Sequence, residues 1–163
     1  MSLRVARAVD NQNSNEDERS FARISTAISK YWVTKRAPYL VFEALECHGG
    51  PGYIEESVMP RLYREAPLNS IWEGSGNVMC LDVLRALQRD KNALPALLKE
   101  LDLANGANRN FDVSLANLKS NLDSSKGIET EARLITEKMA CLIQASIFIR
   151  SGQEEKISAF CYS

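Results

Sequence analysis

The sequence predicts an all-α, mainly antiparallel helix bundle, and three observations lead there. Apolar residues recur at intervals of three and four along most of the chain, the spacing of one helix face. Alternation of apolar and polar residues, the mark of a half-buried strand, is nearly absent. The turn-forming stretches DNQNSNEDE, HGGPG and EGSGN fall between the helical runs rather than within them. At 163 residues, with 45% hydrophobic and 25% charged side chains, the chain suits one domain with a sizeable core.

In chain order, Leu3, Val5, Ala6 and Val9 read as the tail of an opening helix. The next helix starts with Ser14 or Asn15 as cap and acids in its first turn. Phe21, Ile24, Ile28, Tyr31 and Trp32 give it an apolar face, which resumes after Pro38 with Leu40, Val41, Ala44 and Leu45. Pro38 removes one backbone donor and crowds the preceding turn, so a kink or a split is expected there. HGGPG ends the helix. A short helical turn is expected around Val58–Arg64, and a helix from near Gly74 through Val78, Leu81, Leu84 and Leu87. Asn92–Ala104, with Pro95 near its first turn, is the next candidate, and Phe111, Leu115 and Leu118 mark another. Ile128–Arg150 reads as the longest clean helix, broken by Gly152 from a last segment.

Composition excludes several functions. Lys plus Arg number 20 against 21 for Asp plus Glu, and the first 47 residues carry seven basic and six acidic side chains, so no charged arm is concealed. A dedicated nucleic-acid binder shows a basic excess on one face. No run approaches the roughly 20 apolar residues of a membrane span. The most apolar window, Met139–Ile149, is short and carries Gln144. Cys47, Cys80, Cys141 and Cys161 stand far apart without a Cys-x-x-Cys pair and read as small buried hydrophobes in a reducing compartment. One histidine, His48, excludes a multi-histidine metal site; no metal site is expected, and a structural role is expected for the ring. A soluble, cytoplasmic protein is expected.

The informative stretch is HGGPGYIEESVMPRLYREAPLNSIWEGSGNVMCLDVLRAL. It holds Gly49-Gly50-Pro51-Gly52-Tyr53, then Arg64-Glu65, then Trp72-Glu73-Gly74-Ser75 at the mouth of a helix. Each piece is weak alone; their order and spacing together are specific. The stretch resembles the C-terminal helical domain of acyl-CoA dehydrogenases, and its Trp-Glu-Gly-Ser-Gly-Asn form resembles the AidB-like, alkylation-response branch rather than the short-chain enzymes, which carry Tyr-Glu-Gly-Thr. The resemblance is strongest over Lys30–Leu87. It implies a fragment of a larger flavoprotein: a core over residues 1–91 and a helical extension over 92–163, packed as one domain.

The resemblance assigns roles residue by residue. Glu73 is the implied catalytic base, removing the proton alpha to a thioester while a hydride leaves the beta carbon for flavin N5. A carboxylate in a dry pocket suits that weak acid, and Trp72 beside it is the implied pocket residue that helps exclude water. Read from residues alone, Glu73 is more readily a helix-dipole acid, since acids in first turns are common. Ser75 and Asn77 are implied FAD contacts at a helix N-terminus; plain capping by Ser75 is the other reading. Gly49 and Gly50 match a turn that in the family reads Gln-x-x-Gly-Gly and reaches the FAD of a neighbouring subunit, while a simple C-cap turn explains the same glycines. Glu46 replaces the family's amide there, and an anion beside a pyrophosphate repels. Arg64 is expected to order its loop by ion pairing. Arg85 and Arg89, one turn apart, are either a basic strip toward DNA or a solvated face.

The implied function is the C-terminal domain of an FAD-dependent acyl-CoA dehydrogenase-like protein, with acyl-CoA as substrate of the parent, an incomplete FAD site in this fragment, and homo-oligomerisation. The alternatives are a DNA-binding or DNA-protecting module, with weak DNA affinity expected, and an oligomerisation domain without chemistry of its own. The fragment alone is expected to be inactive.

Overall fold

The computed structural model describes residues 1–123, 128–152 and 154–162. It is 79% helical, and the described residues include no strand, which fixes the class as all-α. The helices are α1 (Ser2–Asn11), α2 (Glu16–Cys47), α3 (Gly50–Tyr53), α4 (Met59–Glu65), α5 (Gly76–Arg89), α6 (Ala93–Asp102), α7 (Arg109–Asp123), α8 (Ala132–Arg150) and α9 (Glu154–Tyr162). A 3₁₀ turn over Ala66–Ser70 follows α4 directly.

Helix α2 is the spine. Of the two cap candidates it is Asn15 that caps the helix: the backbone is extended, the Asn15 side chain accepts from the Glu18 N–H at 3.2 Å, and Glu16, Asp17 and Glu18 fill the first turn. Removing this cap costs about 1 kcal/mol in comparable helices. Asn15→Ala is therefore expected to lower unfolding stability by about that amount in a urea titration, with an unchanged slope.

The first half of α2 buries Phe21, Ile24 and Ile28 against α1, α5, α6 and α8. Each such side chain contributes roughly 1.5–3 kcal/mol of transfer free energy. The same core includes Val83 of α5, Leu97 and Leu101 of α6, Phe111 and Leu118 of α7, and Met139 and Ile143 of α8. One apolar core thus joins residues on both sides of position 91. The second half of α2 packs instead against α3, α4 and the 3₁₀ turn.

Two expectations are corrected and two are narrowed. Of the kink or split expected at Pro38, the split does not occur: α2 runs unbroken for 32 residues. Partners on both sides of the proline outweigh a local cost of about 3 kcal/mol. The helix expected over Ile128–Arg150 begins at Ala132, because 128–131 form turns, and at 19 residues it is shorter than α2. HGGPG does end α2, but Gly50–Tyr53 winds one further helical turn. Of the four cysteines, all free thiols, only Cys80 is buried; Cys47 is exposed and Cys141 and Cys161 are half-buried. Gly152, at φ 68°, separates α8 from α9 as expected.

Candidate functional site around the Trp-Glu-Gly-Ser turn

Between the 3₁₀ turn and α5 the chain makes a tight passage whose conformation explains its glycines. Glu73 has φ 56° and is the one non-glycine residue with positive φ among the described residues. An L-residue pays about 1–2 kcal/mol for that left-handed region. Gly74 follows at φ 120°, and a Cβ there would stand 2.7 Å from the Met79 sulfur. Ser75 returns to extended backbone as the N-cap of α5. At Gly76 the helix start presses on α2: a Cβ would lie 2.6 Å from Lys35 Cε and 3.4 Å from a Tyr31 ring carbon. Glycine is favoured at 74 by conformation, while at 76 a Cβ would mainly displace the flexible end of Lys35.

Beneath this passage α2 supplies Lys30, Tyr31 and Lys35. The Lys30 ammonium donates to the Trp72 carbonyl at 2.7 Å and also to the Gly74 carbonyl. Tyr31 is fully buried; its hydroxyl donates to Glu137 at 2.5 Å and accepts from Arg133 at 3.3 Å, tying α2 to α8. Burial, reinforced by the Glu137 carboxylate, raises the Tyr31 phenol above its usual range, so the group is a fixed donor at neutral pH.

The predicted residues fall as follows. Glu73 is exposed and stands two residues before the N-cap, and the first turn of α5 holds no acid. The macrodipole acts within the first turn, so a helix-dipole role accounts poorly for this carboxylate. Trp72 is also exposed, at 55%, so among the described residues none makes the passage dry. Ser75 is exposed and its side chain makes no capping bond, which removes the capping explanation for the hydroxyl. The first α5 bond runs from the Met79 N–H to the Ser75 carbonyl at 2.9 Å. The N–H groups of Gly76, Asn77 and Val78 therefore lack intrahelical acceptors. Asn77 is exposed on the same turn.

Gly49 and Gly50 lie at the far end of α2, in the turn shared with α3. Gly49 has φ 63°, and at both positions a Cβ would meet open space. Gly52 behaves differently, since a Cβ there would sit 2.3 Å from the Leu45 carbonyl oxygen. His48 Nδ1 lies 2.7 Å from the Ala44 carbonyl, a satisfied structural histidine. Arg64 orders its loop through a bidentate pair with Glu55, at 2.7 and 3.0 Å, rather than with its neighbour Glu65, which pairs with Arg61. Arg85 and Arg89 are exposed. A groove of about 510 Å³ lies elsewhere, among α2, α7, α8 and α9, and none of the predicted site residues lines it. Among the described residues, no three His, Cys, Asp or Glu side chains gather as a metal site, and no helix is long and apolar enough to cross a membrane.

Lys30 escaped sequence reasoning. It sits one residue before the buried Tyr31, looks like an ordinary half-exposed lysine, and meets its acceptors 42 and 44 residues away. No local pattern announces such a contact.

If Glu73 carries backbone strain, glycine should relieve it. Glu73→Gly is expected to stabilise the chain by about 0.5–1 kcal/mol, somewhat less than the left-handed penalty because glycine also frees the unfolded chain. A thermal melt showing a lower midpoint than wild type would contradict the strain.

An α-helical domain with a strained acid at the head of one helix and open glycine turns at the end of another defines a class on comparison with known families. Residues 1–88 match the family model described as acyl-CoA dehydrogenase, C-terminal domain. The chain belongs to the acyl-CoA dehydrogenase family. It is 39% identical over 159 residues to the putative acyl-CoA dehydrogenase AidB of Escherichia coli, covering 98% of this chain and 29% of that one. It is 36% identical over 112 residues to acyl-CoA dehydrogenase family member 11 of Caenorhabditis elegans, covering 69% and 18%. The solved structure of Caenorhabditis elegans ACDH-11, in complex with C11-CoA, superposes with a TM-score of 0.83 at 28% identity, over 94% of this chain and 30% of that one. The chain spans less than a third of the length of these relatives.

Proposed function

We propose that this chain provides the base and part of the cofactor surface of an FAD-dependent, AidB-like acyl-CoA dehydrogenase, with residues 1–91 as the site-bearing core and 92–163 as a helical extension. The observation that carries the proposal is the strained, exposed Glu73 in its Trp-Glu-Gly-Ser turn. Strain of this kind persists where the surroundings impose it, and it gathers at functional sites. In the parent protein Trp72 and Glu73, both exposed here, line the acyl-CoA pocket, where Trp72 excludes water and Glu73 takes the proton alpha to the thioester.

The donor set suits FAD. The unengaged Ser75 hydroxyl, the free N–H groups opening α5, Asn77, and the uncrowded Gly49–Gly50 turn offer hydrogen bonds and close backbone approach to an anionic cofactor. A bound FAD supplies the acceptor for the hydride that leaves the beta carbon. The cationic side chains of Lys30 and Lys35 beside the head of α5 favour an anion further.

Homo-oligomerisation in the cytoplasm completes the reading. Tyr39 and Leu40 on α2, Tyr53 on α3 and Val58 beside α4 are each more than half exposed, the composition of a surface that other domains or copies cover. A DNA-protecting role finds less support, since Arg85 and Arg89 stand exposed on a chain of net charge −1. The test is anaerobic mixing of the parent protein with acyl-CoA. Bleaching of the flavin in the wild type and its loss in Glu73→Gln supports the proposal, and bleaching undiminished in the variant overturns it.

A further inference from the structure

We infer that Lys30 is the positioning residue of this site: its ammonium clamps the carbonyls on either side of Glu73 and so sets the backbone from which the carboxylate projects. The inference rests on the proposed role of Glu73 as base and extends it. An ammonium presents three donors and no acceptor. Two of them are taken by the Trp72 and Gly74 carbonyls, the residues immediately before and after Glu73. Two carbonyl dipoles converging on one point repel unless a cation stands there. Lys30 supplies that cation from the middle of α2, and the left-handed φ of 56° at Glu73 belongs to the backbone path joining the two clamped carbonyls.

The lysine is also well seated on α2. Lys30 is half-buried, next to the fully buried Tyr31, and the Thr34 hydroxyl donates to the Lys30 carbonyl at 2.6 Å. The geometry also spends the lysine charge on backbone rather than on the carboxylate. Among the described residues no ion pair holds Glu73. A direct Lys–Glu pair would stabilise the charged carboxylate and weaken it as a base. The clamp therefore acts on the backbone on either side of the carboxylate. A guanidinium, longer and forked, would meet the two carbonyls from a different point and so shift the turn.

Two experiments test the clamp. In the parent protein, wild type, Lys30→Met, Lys30→Arg and Glu73→Gln are compared for turnover and for deuterium exchange at the alpha carbon. The probe is an acyl-CoA with sulfur in place of its beta carbon, which can lose the proton but no hydride. Lys30→Met is expected to slow both exchange and kcat at least tenfold with KM changed less than threefold. Wild-type exchange in Lys30→Met, with exchange abolished in Glu73→Gln, overturns the clamp and leaves the base standing. Wild-type exchange in Glu73→Gln overturns the base reading itself. Should Lys30→Met fail to fold, Lys30→Arg is judged by the same criteria. In the 163-residue chain, Glu73→Gly is introduced with and without Lys30→Met, and melting is followed. A rise in midpoint with Lys30 present that disappears in its absence supports the clamp; an equal rise in both overturns it.

Discussion

Glu100→Ala is expected to cost the folded chain about 3 kcal/mol, the lower end for breaking a buried ion pair. Glu100 is 6% exposed on α6, and both carboxylate oxygens are engaged. Arg4 of α1 donates to them at 3.0 and 2.8 Å, and Arg150 of α8 donates at 2.6 Å. Arg4 also pairs with Glu18 of α2, at 2.8 and 3.0 Å, and stacks over Phe21. One carboxylate thus ties the first helix to the sixth and eighth. Its removal leaves two guanidiniums partly desolvated. Arg4 keeps Glu18 and Arg150 reaches solvent, which is why the lower end applies.

The same group sets a pH dependence. Burial alone would raise the Glu100 carboxyl, but the hydrogen bonds and charges of Arg4 and Arg150 outweigh it and hold the group below the ordinary glutamate range. A depressed folded value means stability that is fully present above the unfolded value, about 4.3, and lost as pH falls through the folded one. Urea titrations of wild type and Glu100→Ala should therefore differ most at neutral pH, with the difference shrinking only as pH falls below about 4.3 toward the depressed folded value. A difference under 1 kcal/mol at pH 7, or one that grows on acidification, would show that the cluster contributes little.

What the sequence revealed and what it concealed follow from the range of the interactions. The Asn15 cap and the Phe21–Ile24–Ile28 face are local, because each depends on residues three or four apart. The Trp-Glu-Gly-Ser turn was visible as a motif, yet its left-handed glutamate was not, since that conformation is tied to a lysine on another helix. Pro38 shows the reverse: of the two outcomes the local rule allows, packing on both flanks holds the helix unsplit. Glu100 was legible in principle. Ala93, Ala96, Leu97, Glu100 and Leu101 share one face of α6, all of them buried. A charge on such a face demands a partner. Its partner Arg4, 96 residues away, looked like any surface arginine.

Glu73→Gln in the parent protein is expected to reduce acyl-CoA oxidation by about 10²–10⁴, the usual range for loss of a general base. The amide keeps the size and hydrogen-bonding reach of the carboxylate but cannot accept the alpha proton, so FAD should remain bound. At 25 °C that loss corresponds to roughly 3–5 kcal/mol in the barrier. Stability should move far less, because the side chain is exposed and lies outside the first turn of α5. A helix-dipole acid would give the opposite pattern, a loss of about 0.3–1 kcal/mol in stability with activity intact. Measuring kcat with acyl-CoA and the melting midpoint on the same preparations separates the two. The left-handed backbone offers a control: Glu73→Asp keeps a carboxylate but withdraws it by one methylene from a turn that cannot follow. Its rate should fall between those of wild type and the glutamine variant. A glutamine variant that oxidises acyl-CoA at the wild-type rate would remove Glu73 from the chemistry and leave its strained turn unexplained.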